Sequence, residues 1–134
     1  MKEISELKLP QDLKYSKEHE WAQQSGGNVR VGITDFAQDQ LGDIVFVELP
    51  EVGSSFGQQD ECATIESVKA VSEVYIPVSG EIVAINGSLE QSPELVNQDP
   101  YGQGWLMDIK PSNTQELEGL LDKEAYLQLL QGEQ

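Results

Sequence analysis

The sequence predicts a mostly β protein: a sandwich of short strands with short helices at its periphery and a helical C-terminal segment. Three observations support this fold class. Short runs of β-forming residues alternate with turns that contain glycine or proline. The tetrapeptide Gly-Asp-Ile-Val at residues 42–45 recurs as Gly-Glu-Ile-Val at 80–83, which favours a sandwich of two related halves. Leucines with helical spacing follow Asn113.

The N-terminal region predicts a hairpin after a short polar segment. Residues 1–10 are polar and are expected to be loosely held. Residues 15–21 and 29–33 alternate like strands. The sequence Ser-Gly-Gly-Asn at 25–28 predicts the turn between them, because glycine adopts positive φ at little cost.

A short helix and a strand are predicted next. Residues 34–41 begin with Thr-Asp, a helix-start pair, and carry an apolar side. Gly42 is expected to end this helix in the left-handed conformation. The run Ile-Val-Phe-Val at 44–47 predicts a strand, which Pro50 and Gly53 terminate.

The remainder of the chain predicts four more strands and three helix starts. The strands are expected around residues 63–65, 74–76, 82–85 and 105–109. Ser-Pro-Glu at 92–94 predicts a helix start with serine as the cap. The C-terminal helical segment covers 113–131: Asn113 with Glu116 opens it, and Asp122 restarts it. We expect residues 1–134 to form a single domain.

The charge of the chain excludes several classes of partner. Twenty-four acidic residues against eight basic residues give a formal net charge of -16 and a pI near 4.1. Such a field repels nucleic acid and anionic membrane surfaces, so we expect neither as a partner. It attracts a partner with a basic docking face. Self-repulsion favours a monomer.

Residue usage excludes further chemistry. One cysteine, Cys62, allows no intrachain disulfide and is expected to be a small buried apolar side chain. One histidine, His19, leaves no Cys/His set for a structural zinc site, so no metal is expected. Apolar runs are too short to span a membrane, and residues 1–6 carry acids where a targeting peptide would be basic. We therefore expect a cytoplasmic protein.

Lys69 is isolated in the sequence. It is the only basic residue between Val31 and Ile109, a stretch with fourteen acidic residues. The β-forming segments on its two sides predict a hairpin with Lys69 at its exposed tip. From position and composition alone, a solvated lysine near Glu66 or Glu73 is the favoured interpretation, because most isolated charges lie on a solvated face. Such a surface ion pair contributes less than ~1 kcal/mol.

The residues around Lys69 resemble the lipoyl-attachment segment of the glycine cleavage system H protein family. The resemblance begins with Glu-Ser-Val-Lys-Ala at 66–70 and Pro-Val-Ser-Gly-Glu-Ile at 77–82. It extends to Tyr-Ser-Lys-Glu-His-Glu-Trp at 15–21, to the blocks at 32–38 and 41–50, and to Gly-Trp-Leu at 104–106; the segment from residue 117 through Tyr126 resembles the family's C-terminal helix. It covers the chain from Leu7 to Leu130 in order.

The resemblance implies a lipoyl-domain-like fold and a carrier function. The fold would be a flattened β-barrel sandwich (a barrel-sandwich hybrid) with the modified lysine on a hairpin. Lys69 would carry lipoic acid in amide linkage, and the protein would have no catalytic residues of its own. Its arm would take the aminomethyl group of glycine from a pyridoxal-phosphate glycine decarboxylase to a tetrahydrofolate-dependent aminomethyltransferase. The reduced dithiol would then pass to a flavin-dependent dihydrolipoyl dehydrogenase.

The resemblance also implies roles for further residues. The residues that flank the lysine would be read by the lipoylating enzyme: Glu66, Ser67, Val68 and Ala70. Three others would form a cleft that shelters the loaded arm: Glu20, Phe36 and Glu73. Many family members carry histidine where this chain has Phe36, which can form a wall of the cleft but cannot form hydrogen bonds with its side chain. For Glu20 and Glu73 a solvated carboxylate is an equally open interpretation.

Other functions remain as alternatives. The first is a lipoyl-relay or regulatory protein of the same fold that does not serve glycine cleavage. A biotin carrier shares the architecture, but its lysine usually lies between methionines, whereas Val68 and Ala70 flank this one. An independent enzyme is the least favoured, because no oxyanion motif accompanies His19.

Overall fold

A computed structural model of the chain describes residues 3–133, and this part contains nine strands in two sheets. The strands are β1 Lys14–Tyr15, β2 Glu20–Ser25, β3 Asn28–Ile33, β4 Ile44–Glu48, β5 Ser55–Phe56, β6 Glu61–Ser67, β7 Val71–Tyr75, β8 Gly80–Ile85 and β9 Met107–Pro111. The larger sheet has the order β1-β2-β3-β9-β8-β5, and the smaller has the order β4-β6-β7. Every paired strand is antiparallel to its neighbour.

The helices of the described part are short except for the last. The α-helices are α1 Asp35–Leu41, α2 Leu95–Gln98 and α3 Lys123–Glu133, and 3₁₀ helices cover Ile4–Glu6, Gly87–Glu90 and Thr114–Gly119. No helix within residues 3–133 is long and apolar enough to cross a bilayer. The predicted fold class, mostly β with peripheral short helices and a C-terminal helix, is confirmed.

The main core lies between the two sheets. Apolar side chains of β3, β8 and β9 from the larger sheet pack in one cluster with those of β4, β6 and β7. The strand that begins in the first copy of the repeated tetrapeptide, β4, belongs to the smaller sheet, and its counterpart β8 belongs to the larger. The predicted sandwich is therefore confirmed, and each copy contributes a strand to a different layer.

A second, smaller core attaches the C-terminal helix. It contains Trp21, Tyr15 and Tyr126, all fully buried, together with Leu130 of α3. The rings of Tyr15 and Tyr126 stack with centroids 4.7 Å apart. The indole N–H of Trp21 donates to the carbonyl oxygen of Pro100 at 2.9 Å, so this large side chain is buried without losing its hydrogen bond.

The strand predicted over residues 15–21 is wrong in its middle. A turn separates β1 from β2, and His19 in that turn has φ of 73°. The Ser16 hydroxyl accepts from the backbone N–H of Glu20, which closes the turn locally. The alternating pattern did not distinguish two strands joined by a tight turn from one continuous strand. The two-residue turn at Gly26 and Gly27 is confirmed, with φ of 61° at Gly26.

Helix α1 forms close to its prediction. The Thr34 hydroxyl accepts from the backbone N–H of Ala37 and caps the helix. Gly42 follows the helix with φ of 77°, as expected for a glycine, but its ψ of −155° lies outside the left-handed helical region. The chain therefore turns away from the helix and enters β4.

The later predictions need three corrections at element boundaries. Helix α2 begins at Leu95 and Ser92 does not cap it, although the backbone already turns there. The strand predicted from Trp105 begins at Met107. The helix opened by Asn113 is a 3₁₀ helix that ends at Gly119, and beyond it Leu121 exchanges both backbone hydrogen bonds with Tyr15. The restart at Asp122 is observed, since its carboxylate accepts from the Ala125 N–H.

The N-terminal segment contacts the body of the protein. Met1 and Lys2, part of the segment expected to be loosely held, lie outside the described residues. The Lys8 N–H donates to the Asp35 carboxylate at 2.9 Å, and the Tyr101 hydroxyl donates to the Lys8 carbonyl at 2.6 Å. Leu9 is buried in the smaller core. These contacts attach residues 8–10 more closely than the polar composition suggested.

Gly32 makes the burial of Trp21 possible, which gives a test of the fold. The two residues are cross-strand partners, and a Cβ on Gly32 would lie 2.6 Å from the indole Nε1. We expect Gly32→Ala to lower the free energy of unfolding by about 2–3 kcal/mol, because the ring must move in a packed core. Urea unfolding followed by tryptophan fluorescence measures it. Gly27→Ala is the matched control, since no atom lies within 4 Å of its Cβ position; equal stability of both variants would contradict the argument.

Candidate functional site

Lys69 lies at the tip of the hairpin formed by β6 and β7. The last ladder pair is Glu66 with Val71, and the backbone N–H of Ser67 donates to the Ala70 carbonyl at 2.8 Å to close the turn. Lys69 is exposed, and within residues 3–133 it forms no ion pair with Glu66 or Glu73. The surface ion pair considered from the sequence is therefore absent from the described part of the chain.

Ser67 organises this turn. Its hydroxyl accepts from the backbone N–H groups of Lys69 at 3.3 Å and Ala70 at 3.1 Å. The same hydroxyl lies 3.3 Å from the Ala70 carbonyl oxygen, to which it donates. A serine that bonds the backbone two and three residues ahead compensates for the lack of an Asn-Gly or Asp-Gly turn. The structure thus assigns Ser67 a local role in presenting the lysine.

The Lys69 side chain extends over the end of α1. A Cβ placed on Gly42 would lie 3.4 Å from Lys69 Cε and 3.9 Å from Nζ. The turn is also tied to this region by a hydrogen bond of 3.0 Å from the Val68 N–H to the Asp43 carbonyl. The lysine therefore leaves the hairpin toward the helix, and the absence of a side chain at Gly42 leaves room for it.

A cleft of about 170 Å³ lies beside α1. One wall is the face of α1 that ends next to Lys69, and the others come from the turn before β2, from β3 and from the hairpin strands. It is lined by Glu18, His19, Glu20, Ile33, Phe36, Ala37, Gln40, Leu41, Ile65, Ser72, Glu73 and Val74. The three residues predicted to form a cleft, Glu20, Phe36 and Glu73, are thus brought together around one cavity.

Glu20 is a buried carboxyl group in this cleft. Its side chain accepts from the Ser16 hydroxyl and, at 3.2 Å, from the backbone N–H of Tyr75. Burial raises the pKa of Glu20 from 4.5 to about 7, against the opposing effect of these two hydrogen bonds. Only 2% of the residue is exposed, so the interpretation as a solvated carboxylate is wrong for Glu20.

Glu73 and Phe36 occupy different parts of the cleft. Glu73 is exposed at the rim, where its carboxylate accepts from the Thr64 hydroxyl at 3.0 Å. Phe36 is half-buried, and its ring packs on His19 with centroids 4.7 Å apart. The cleft therefore combines one buried carboxyl group, one solvated carboxylate and an apolar wall.

Comparison with known proteins decides the family. Residues 13–133 match the family described as Glycine cleavage H-protein. The chain belongs to this family. The glycine cleavage system H protein of Oceanobacillus iheyensis is 58% identical over 93% of this chain and 99% of its own length. That of Symbiobacterium thermophilum is 58% identical over 88% of this chain and 92% of its own.

A solved structure supports the same assignment. The crystal structure of a glycine cleavage system H protein from Mycobacterium marinum superposes with a TM-score of 0.84. Its sequence is 38% identical, and the match covers 92% of this chain and 99% of that one. The resemblance stated from the sequence is confirmed, and this H protein of known structure shares the fold.

His19 connects the cleft of this H-protein family member to its C-terminal helix. Its Nδ1 lies 2.9 Å from the hydroxyl of Tyr126, which is also 2.7 Å from the Thr34 hydroxyl. The ring is therefore fixed by hydrogen bonding on one side and by Phe36 on another. This geometry gives His19 a structural role beside the cleft.

Some residues of the site were not found from the sequence. Gln40 and Leu41 line the cleft one turn after Phe36 and Ala37, and the four-residue spacing on α1 was the available signal. The sequence indicated that Gly42 ends a helix, but it gave no indication that Gly42 lies next to Lys69.

Cys62 is buried as predicted, and burial raises the pKa of its thiol to about 12, so it is not a nucleophile at neutral pH.

Proposed function

We propose that residues 1–134 form a single lipoyl-carrier domain in which Lys69 holds lipoic acid in amide linkage. The observation that supports this most directly is the exposed Lys69 at the tip of a hairpin, with its side chain over Gly42 at the end of the helix that lines a cleft. An acylated lysine loses its charge, and a solvent-exposed tip imposes no cost for that loss. The flanking residues Glu66, Val68 and Ala70 are also exposed, where a lipoylating enzyme can contact them.

As a member of its family, the chain is a non-catalytic carrier of the glycine cleavage system. We assign it three partners for its cycle: a pyridoxal-phosphate glycine decarboxylase, an aminomethyltransferase that uses tetrahydrofolate, and a flavin-dependent dihydrolipoyl dehydrogenase. The lipoyl group would supply a disulfide that is reduced when one of its sulfurs accepts the aminomethyl group of glycine, and the dithiol left after that group is passed on would be reoxidised. The chain's own residues present, shelter and release this cargo.

The dimensions of the site fit a lipoyl arm. Summed bond lengths give a lipoyl-lysine a reach of ~14 Å, and the lysine stem already lies at the end of the helix that lines the cleft. A cleft of about 170 Å³ is comparable to the ~150 Å³ cavity that holds a benzene ring. A five-membered dithiolane ring is of similar size, so the cleft can receive the end of the arm.

The cleft residues suit a cationic, water-sensitive cargo. Phe36, Ile33 and Val74 form an apolar lining that excludes water. Glu20 offers a carboxyl oxygen inside this lining, and a cation there favours its ionised form. Glu73 adds a second carboxylate at the rim. A protonated amine held between them would be paired while the bond to its carbon is kept from water.

The mass of the protein from its native host tests the proposal. Cells grown with lipoate available should yield chains with one lipoyl addition, and peptide mapping should place it on Lys69. Lys123→Arg, a change at a lysine in α3, should leave the addition in place.

An unmodified Lys69 in cells that lipoylate other proteins would overturn the proposal. So would a lipoyl group on another lysine. Glycine–bicarbonate exchange with the partner decarboxylase separates this function from that of a relay or regulatory protein of the same fold, since only the glycine cleavage carrier supports the exchange.

A further inference from the structure

Exposed apolar side chains are concentrated around Lys69. Five large apolar residues in the described part of the chain are about half or more exposed, and four of them surround the hairpin tip. These four, which we call the collar, are Val45 at 52%, Phe46 at 49%, Val68 at 70% and Val71 at 61%; the fifth is Val52 at 58%. Single exposed apolar residues need no explanation, but a cluster at one place marks an interaction surface.

The sheet geometry places the collar on one surface. Phe46, Glu66 and Val71 are successive cross-strand partners on β4, β6 and β7, so their side chains project from the same face. Val45 occupies the irregularity between Ile44 and Phe46 and is exposed as the extra residue of a bulge. Lys69 thus stands beside an apolar surface that two adjacent elements supply.

The surroundings of the collar are acidic. Asp43, Glu48, Glu66 and Glu73 are all exposed on the hairpin or on and beside β4. Apart from Lys69, no basic residue lies between positions 31 and 109. A partner that covers the collar therefore needs an apolar centre and a basic rim. A second copy of this chain does not meet that requirement, because its net charge is also -16.

We propose that the collar is the docking surface for the enzyme that attaches the lipoyl group, an inference that rests on the proposed function of Lys69. The reason is reach. Before acylation the reactive nitrogen is at most ~6 Å from its own backbone, so the acylating active site must lie directly on the hairpin. Enzymes that use the finished arm meet its sulfurs up to ~14 Å from the same backbone and can dock elsewhere.

The acylation step is an acyl transfer from an adenylate to an amine, and it needs neither an oxidant nor a reductant. The Lys69 nitrogen attacks the carbonyl carbon of an acyl adenylate, a C–N amide bond forms, and the C–O bond to the phosphate breaks. AMP leaves with the electron pair, and the former ammonium gives up two protons in total. The collar takes no chemical part in this step and serves to hold the lysine in place.

Acylation kinetics on the unmodified full-length chain test the proposal. The probe is a purified lipoate–protein ligase with lipoate and ATP, and intact mass follows the product. We expect the double variant Phe46→Ser, Val71→Ser to lower kcat/KM for the carrier about tenfold or more, and Val52→Ser to leave it within twofold. Phe46→Leu should retain most of the rate. Circular dichroism and thermal melting confirm that the variants fold.

A second measurement distinguishes docking of the lipoylating enzyme on the collar from docking of the glycine decarboxylase. Once prolonged incubation has fully lipoylated the double variant, its glycine–bicarbonate exchange should have the KM and kcat of the unaltered protein. An unchanged kcat/KM for acylation of the double variant would overturn the inference. It would also be overturned if the lipoylated double variant lost a larger factor in the rate of exchange than in the rate of acylation, because the collar would then be a docking surface for the decarboxylase. If the unaltered chain is itself not acylated at Lys69, the proposed function fails instead.

Discussion

Lys69→Arg is expected to reduce glycine–bicarbonate exchange to the rate measured without the carrier, a loss of at least ~100-fold on the scale that tethering provides. Arginine keeps the positive charge and nearly the length of lysine at this exposed position. Its guanidinium remains protonated and is not acylated, so the variant removes only the attachment chemistry. The measurement is incorporation of labelled bicarbonate into glycine with the partner decarboxylase at a fixed carrier concentration.

Two comparisons make this result specific to attachment. Lys110→Arg changes an exposed lysine on β9 and should exchange at the unaltered rate. Far-ultraviolet circular dichroism of Lys69→Arg should match that of the unaltered chain, because Lys69 forms no ion pair within the described residues. Substantial exchange by Lys69→Arg would show that the carrier acts without a group on this lysine.

The hairpin that presents Lys69 was predictable because its determinants are local. Two β-forming runs face each other across a few residues, and Glu66 and Val71 pair as the spacing implies. A single charged residue between such runs has no apolar surface to bury and remains at the tip. Gly42 was likewise found as a helix end, because positive φ favours glycine at that position.

The cleft was harder to predict because its properties depend on long-range packing. Glu20 lies next to Trp21, and a strand pattern alone does not reveal which side chain faces inward after a turn. The positive φ of His19 and the capping by Ser16 set that orientation. The hydrogen bond from the Tyr75 N–H, fifty-five residues away, then completes the burial. The hydrogen bond between Tyr75 and Glu20 has no signature in the local sequence, because the two residues are far apart along the chain.

The buried Glu20 gives the second large expected effect, on stability as a function of pH. Its pKa is raised from 4.5 to about 7 in the folded chain, so the folded state holds this proton more tightly than the unfolded state. Glu20 therefore adds to the free energy of unfolding in full below about pH 4.5, and this contribution is lost as the pH rises to about 7. The total loss is about 3 kcal/mol, since each pKa unit corresponds to ~1.4 kcal/mol.

Glu20→Gln isolates this contribution, because glutamine does not titrate and its carbonyl oxygen can still accept from the Tyr75 N–H. The free energy of unfolding of the unaltered chain minus that of Glu20→Gln, from urea titrations between pH 4.5 and pH 8.5, should fall by about 3 kcal/mol and then level off. All other groups are common to the two proteins, so their contributions cancel in the difference. A flat difference for Glu20→Gln would mean that Glu20 reaches water in solution, and the cleft would then lack the buried carboxyl group that a cationic cargo requires.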